Sequence, residues 1–399
     1  MLVPKLRFLR EDGTDYPDWK SKQLQSIFIE RNETQTITED APLLSFTIEQ
    51  GVINPEEKKT NKRDFLIKDK DNKKYALTEY NDIIYNPANL KFGAIHRNKL
   101  GRGVVSPIYA IFQTDENPVF MEYIVTNPVF IKKSLKYLEG TVIKLMTLKP
   151  RDFLLMKCCI PCIEEQEKIA DFLSAVDEVI AQSEAEVQNL EQQKKAAMQK
   201  IFSQEVRFKR ENGTDYPEWE EKKFGTIMDC YSGGTPSSKN KQYYNGKIPF
   251  IRSGEIHFSE TELFLSEEGL NKSAAKMVKV GDLLYALYGA TSGEVDISKI
   301  NGAINQAILC IIPYSDNRLY LKFWLESFKT VITTKLLQGG QGNLSAELIK
   351  SLRLPIPHIE EQQKIADFLS AYDEAISYAK QELDKWKELK KGLLQQMFV

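Results

Sequence analysis

Behind each of two prolines, Pro161 and Pro357, apolar side chains recur at alternating spacings of four and three. A period of about 3.5 predicts a helix that hides a narrow stripe against a partner helix. In the first copy the stripe reads Ile169, Leu173, Val176, Ile180, Ser183, Val187, Leu190, Lys194, Ala197 and Ile201. In the second it reads Ile365, Leu369, Tyr372, Ile376, Ala379, Leu383, Trp386, Lys390, Leu393 and Met397. The natural partner of each helix is the other copy. Lysine interrupts both stripes at the same place, which is tolerable if its stem lies along the seam and its charge reaches water. A charge at Leu369 is expected to loosen the seam before it damages either domain. The competing arrangement has each helix packing on its own domain.

The helices belong to a longer duplication. Residues 163–178, IEEQEKIADFLSAVDE, return at 359–374 as IEEQQKIADFLSAYDE, and residues 7–19, RFLREDGTDYPDW, return at 207–219 as RFKRENGTDYPEW. Between these matches Asn81-Asp82-Ile83-Ile84-Tyr85 answers Gly281-Asp282-Leu283-Leu284-Tyr285, and an amphipathic stretch at 118–138 answers one at 318–337. The expected organisation is α+β: a first mixed domain at 1–160, a helix at 161–204, a second mixed domain at 205–356 and a helix at 357–399. Read as a circle, the chain is two near-equal halves. Adjacent termini and antiparallel helices about a pseudo-twofold axis follow. At about 1.5 Å per residue, such helices would hold the two domains roughly 50 Å apart.

Composition narrows the classes. With 42% apolar and 28% charged residues over 399 positions, this is the make-up of a folded globular protein. No run is apolar enough to span a bilayer, and MLVPKLRFLREDG has no signal-peptide core, so a cytoplasmic protein without membrane contact is expected. Five cysteines suit a reducing compartment. Cys158, Cys159 and Cys162 cluster, but the three histidines, His96, His257 and His358, are scattered and no second C-x-x-C exists. Buried strand cysteines are therefore favoured over a metal site.

The net charge of −2 conceals a polarised chain, because residues 164–205 carry −6 and residues 360–399 carry −2, leaving +6 for the remainder. Basic clusters occupy Gly-rich or polar stretches: Lys91, Arg97, Lys99 and Arg102 in one half, Lys239, Lys241, Lys247 and Arg252 in the other, and a less pure run from Lys58 to Lys74. Cations on such loops suit contact with phosphates. Solvated loops are the plainer reading of any one cluster. Neither a P-loop nor an H-E-x-x-H or G-x-S-x-G motif occurs. Two N-P-V-F strings, 117–120 and 127–130, faintly resemble the Asn-Pro-Pro-aromatic loop of amino-methyltransferases but carry Val in place of the second Pro. No catalytic residue is expected.

These features together resemble the specificity subunit of type I restriction-modification systems. The resemblance rests on Pro161, Glu165, Gln166, Lys168 and Ile169, repeated as Pro357, Glu361, Gln362, Lys364 and Ile365. It extends to SGGTPSS at 232–238, IPFIRSGEI at 248–256, YGATSG at 288–293, NQAIL at 305–309 and GGQGNLS at 339–345. In the first half, YNP at 85–87, GAI at 93–95 and VSPIYAIF at 105–112 are similar to another variant of the same domain. The resemblance implies a non-catalytic adaptor with two target recognition domains. Each would read one half of a bipartite site in double-stranded DNA, with a gap of fixed length between them. It also implies two modification subunits that use S-adenosylmethionine and restriction subunits that use ATP and Mg, with no cofactor in this chain. The acidic helices are expected to dock the modification subunits. Base reading suits Arg97, Arg102, Arg252, Asn305, Gln306, Gln341 and Asn343, beside Lys91, Lys99, Thr235, Lys239 and Lys241 on the loops. Turn formation is the alternative for each Asn and Gln. The pairs Gly233-Gly234 and Gly339-Gly340 would admit a phosphate to the main chain or satisfy a positive φ. A coiled-coil scaffold with two protein- or carbohydrate-binding domains is the competing function, and a solitary methyltransferase is a third.

Overall fold

A computed structural model describes residues 4–58, 73–139, 146–337 and 343–398. Two helices dominate it, Ile163–Phe202 and Ile359–Met397. The first contains neither Gly nor Pro and opens on Glu164 and Glu165, whose charge favours a helix N-terminus. It ends where Gln204 takes a left-handed φ of 60° and its N–H returns to the Ile201 carbonyl at 2.9 Å.

The chain divides into two compact units, one made of Met1–Gln182 and Glu382–Val399, the other of Ser183–Gln381. Each unit thus holds the first half of one long helix and the last half of the other. In the first unit Ile169 and Leu173 share a core with Met397 and Phe398, and Lys390 pairs with Asp177. In the second, Ile365 and Leu369 share a core with Met198, Ile201 and Phe202, and Lys194 pairs with Asp373. Numbers fall along one segment as they rise along the other, so the paired segments are antiparallel within each unit. The two chain ends also meet, since the Leu6 N–H donates to the Gln396 carbonyl at 3.1 Å.

Each half builds the same frame. In the first, a sheet runs in the order Phe28–Glu30, Ala110–Thr114, Ile83–Tyr85, Ile95–Arg97. In the second the order is Met228–Ser232, Ile308–Pro313, Leu283–Ala286, Val295–Ile297. All pairings within both sheets are antiparallel. The central strands are buried throughout and read as unbroken apolar runs, as a strand covered on both faces must. A two-stranded ribbon stands beside each sheet, Lys20–Gln23 with Lys157–Ile160 and Glu220–Lys223 with Arg353–Ile356. The KCCI stretch therefore lies in a strand. Burial pushes the Cys158 thiol up to about 12, so it stays protonated.

The outer layers differ between the halves. Among the described residues the first half has Thr34–Gln35, Tyr75–Thr78 and Gly103–Val105 in one small sheet with a separate hairpin, Ser45–Thr47 and Gly51–Ile53. The second instead joins Phe264–Leu265, Ile248–Ile251, Gly302–Ile304 and Lys276–Val278 into one mixed sheet.

None of the twenty seam positions is exposed, and Val176, Val187, Ile376, Ala379 and Leu383 are buried. Ile180, Leu190, Tyr372 and Trp386 are half-buried. Two expectations need correction. Leu369 lies in the core of the second domain with Phe224, Leu354 and Ile356, as Leu173 lies with Phe120 and Phe153. A charge at Leu369 would therefore damage the domain itself. Nor does Lys194 send its charge to water: its side chain is only 10% exposed, and Nζ lies 2.7 Å from both Glu326 and Asp373. The seam tolerates this lysine because acids neutralise it.

Candidate nucleic-acid interface

The repeated motifs meet at the start of each long helix. Glu165 is fully buried and accepts two bonds from Arg7, at 3.0 and 2.7 Å, while Arg7 also donates to the Tyr16 and Pro17 carbonyls. Arg207 holds Glu361 and the Tyr216 and Pro217 carbonyls in the same way. Lys168 and Lys364 donate to the Leu9 and Lys209 carbonyls. Gln166 and Gln362 complete the clasp, accepting from the Asn117 and Asn317 N–H groups and donating to the Pro161 and Pro357 carbonyls. The repetition of these residues is visible in the sequence, whereas their burial against one another is not. Asn117 and Asn127 each accept from the first-turn N–H groups of a helix that begins with proline. The two N-P-V-F strings are therefore helix caps, not a methyltransferase loop.

In the second half, dispersed motifs converge at one end of the central sheet. The Gly234 N–H donates to the Ile304 carbonyl at 3.2 Å, and Thr235 donates to the Gln306 side chain. The Asn305 N–H reaches the Ile251 carbonyl, Leu287 N–H reaches the Ala307 carbonyl, and Leu344 N–H reaches the Leu287 carbonyl, which brings Asn343 to the same end. Thr235, Gln306 and Asn343 are exposed. Lys239, Lys241 and Lys247 follow on the same loop system; all three are exposed and make no ion pair among the described residues. The glycines are explained by packing rather than by phosphate approach or positive φ. A Cβ on Gly233 would sit 1.8 Å from the Ile304 carbonyl oxygen, and one on Gly234 would sit 2.6 Å from the Ala274 Cβ. The Asn305 side chain caps its own turn by accepting from the Ala307 N–H. Arg252 is committed to Glu255 at 2.8 Å and Glu262 at 2.6 Å. Burial alone would raise the Glu255 carboxyl, but hydrogen bonds from Arg252 and the Glu262 backbone pull it down to about 2. Gln341, Gly339 and Gly340 lie outside the described residues, as does most of the run from Lys58 to Lys74.

The first-half cluster is not one patch. Strand register puts Ile95 opposite Tyr85 and Arg97 opposite Ile83, so Arg97, Lys99 and Arg102 fall at the opposite end of the sheet from Lys91. Lys91 sits in the 86–94 connection, the counterpart of 288–293. Arg97 is only 10% exposed, paired with Glu122 at 3.1 Å and donating to Asn81 at 2.7 Å. Lys99 shares Glu122, and Arg102 pairs with Glu79. The base-reading role expected of Arg97 does not fit a largely covered guanidinium already satisfied by Glu122 and Asn81. Counting acids between the cations could not reveal this, because Glu122 lies on a helix 25 residues away.

Among the described residues no cluster of His, Cys, Asp or Glu has the make-up of a metal site, and no helix is long and apolar enough to cross a membrane. The geometry offers exposed polar and cationic loops on a duplicated frame.

Residues 216–387 match the family model described as the type I restriction modification DNA specificity domain. The specificity subunit of the type I restriction enzyme MjaVIII from Methanocaldococcus jannaschii is 27% identical over 258 residues, covering 60% of this chain and 60% of that protein. The matched stretch thus falls short of two thirds of that relative. The S subunit of a type I restriction-modification system from M. genitalium has the same fold, with a TM-score of 0.63 at 14% identity over 100% of this chain and 99% of that one. A second chain, solved in work on complex assembly and conformational transition of the type I R-M system, gives 0.56 at 15% identity over 96% and 98%. With the clasp repeated at the same two helix starts, residues 216–387 match the type I restriction modification DNA specificity domain, and the chain shares the fold of solved type I S subunits.

Proposed function

We propose that this chain is the DNA-reading subunit of a type I restriction-modification complex, each domain reading one half of a bipartite target in double-stranded DNA. The observation that carries the reading is the contrast within the duplication. The central sheets, ribbons and clasps repeat strand for strand, whereas the outer layers and end loops differ. Constant frames with divergent loops suit two readers of different half-sites on one scaffold. Exposed Thr235, Lys239, Lys241, Gln306 and Asn343 mark the reading end of the second domain, with cations for phosphates and amides for base edges. Lys91 marks the equivalent end of the first.

Two identical modification subunits are the proposed partners of the long helices. Exposed apolar side chains are duplicated there: Ile163 and Phe172 in one copy, Ile359 and Phe368 in the other. Phe172 packs edge-on against Phe8 at 5.5 Å, and Phe368 against Phe208 at 5.6 Å. Methyl transfer with S-adenosylmethionine and ATP- and Mg-dependent translocation are assigned to partner subunits in the cytoplasm, this chain being the non-catalytic adaptor.

The test is methylome sequencing of a host expressing the complex with residues 20–155 exchanged for those of another family member. One half-site should change and the other stay. Both changing, or neither, overturns the assignment.

A further inference from the structure

The two halves carry equivalent clefts beside the last turns of a long helix, and their chemistry has diverged. In the first unit a cleft of about 530 Å³ has an apolar floor that includes Ile124, Val129, Phe130, Leu394 and Phe398. Among the described residues five lysines line it, Lys133, Lys157, Lys387, Lys390 and Lys391, and no carboxylate does. Val129 is 52% exposed. The corresponding cleft of the second unit, about 510 Å³, is lined by Glu191, Glu326 and Asp373 against Lys194, Lys195, Lys329 and Lys380. There the charges answer one another: Glu191 with Lys380, and Glu326 and Asp373 with Lys194. In the first cleft Asp177 answers Lys390 from outside the lining, while Lys133, Lys157 and Lys391 have no ion pair among the described residues.

We infer that the first-half cleft is the docking site of an acidic amphipathic peptide segment of a partner protein, bound once per chain. Like charges gathered around an apolar floor repel one another, and an anionic occupant relieves this. A free phosphate or a DNA backbone would satisfy the rim and leave the floor wet. A segment with Leu or Phe anchors at helical spacing and Asp or Glu between them satisfies both. The volume falls in the range that takes a few such anchors. The second cleft, internally neutralised, offers neither the charge nor the apolar floor, so the stoichiometry is one.

The probe is a fluorescein-labelled 18-residue peptide with Leu at i, i+3, i+4 and i+7 and Glu elsewhere, titrated by anisotropy against the full chain. Versions with Gln or Lys replacing Glu and a 30-base-pair duplex run alongside. The acidic peptide should saturate at one per chain and bind at least tenfold more tightly than the Gln version. Lys133→Glu and Val129→Glu should each weaken it at least tenfold, with Lys195→Glu in the other cleft changing it less than twofold. Circular dichroism establishes folding, and if the variants fail to fold the peptide charge series on the unaltered chain decides. Equal binding of the Glu and Gln peptides, two sites per chain, or equal loss from Lys195→Glu overturns the inference. Loss of duplex affinity with peptide affinity unchanged gives the cleft to nucleic acid instead. Dimers of this chain that the peptide dissociates give it to a second copy.

Discussion

Lys194 and Lys390 hold the same place in the repeat, yet the two halves neutralise them differently. Each lies over an aromatic ring, Phe323 at 5.1 Å and Tyr123 at 5.6 Å, and each pairs with the equivalent acid, Asp373 or Asp177. Around this shared core the second half adds Lys322 and Glu326, whose counterparts are Glu122 and Thr126. Burial alone would depress Lys194, but Glu326 and Asp373 outweigh it and hold the ammonium above its ordinary value. In the first half Glu122 instead serves Arg97 and Lys99. The difference teaches that the seam requires neutralisation of the lysine and an aromatic stem contact, while the remaining charges were free to be reassigned to each domain's own loops.

The clasps bound this comparison, because there the halves differ least: Trp219 Nε1 donates to Glu361 at 3.0 Å, whereas the buried Trp19 Nε1 has no partner among the described residues. Replacing Arg7 by Met strands Glu165, whereas replacing Arg207 by Met leaves Glu361 the Trp219 N–H, each carboxylate having no exposed surface. Arg7→Met should cost about 3–5 kcal/mol and Arg207→Met about 1 kcal/mol less, each loosening mainly its own unit. The buried thiols report the units separately, Cys158 in the first and Cys310 in the second. Their labelling in urea, read by mass spectrometry, should show the larger loss for Arg7→Met. Equal losses would mean that the Trp219 bond to Glu361 contributes nothing.

The seam networks should then diverge. Asp373→Ala leaves Lys194 buried with Glu326 alone and is expected to cost about 3 kcal/mol. Asp177→Ala frees Lys390, whose side chain is 27% exposed, and the Tyr123 hydroxyl that donates to Asp177 at 2.7 Å, at about 1–2 kcal/mol. Burial would raise the Asp373 carboxyl, but Lys322 and Lys194 hold it below its usual range. Its stabilisation is therefore present above the unfolded value near pH 4 and fades as pH falls through the lowered one. Equal costs in the two halves would erase the distinction drawn between them.

Binding should separate the halves as well. Lys239→Ala with Lys241→Ala removes two exposed cations, and the slope of log affinity against log salt for duplex DNA should fall by roughly two. Lys99→Ala with Arg102→Ala touches side chains already paired with Glu122 and Glu79 and lying at the far end of the sheet. Its slope should stay within about half a unit of the unaltered chain. A larger fall would return those residues to the interface.

The duplication was legible because identity at 163–178 and 359–374 survives in bare sequence, and so were the helices, whose period of 3.5 needs no partner to be seen. The shared sheet was foreshadowed by one short match at 81–85. What stayed hidden were pairings across long separations. Glu165 reads as an ordinary charged first-turn residue, and only its distance to Arg7, 158 positions earlier, makes it a buried anchor. Arg97 misled for the same reason. Gly233 and Gly234 signalled close approach correctly in kind, but the approaching atoms belong to the protein's own backbone.

The smallest effect concerns the histidines. His96 in the first unit meets the Ile48 carbonyl at 2.7 Å, whereas His257 in the second lies 3.0 Å from Asp296 and 3.4 Å from Glu294. The bond that His257 donates to Asp296 raises the His257 pKa, and burial only partly opposes it. A raised folded pKa contributes stability that is fully present below the unfolded value of about 6.5 and is lost as pH climbs through the higher one. Cys310 protection, corrected for thiol ionisation with an unfolded standard, should therefore decline slightly from pH 6 to 8 relative to Cys158. His257→Gln should flatten that difference. If it persists in the variant, some other group in the second unit carries the pH dependence, and the Asp296 pairing is a solvated contact of no energetic consequence.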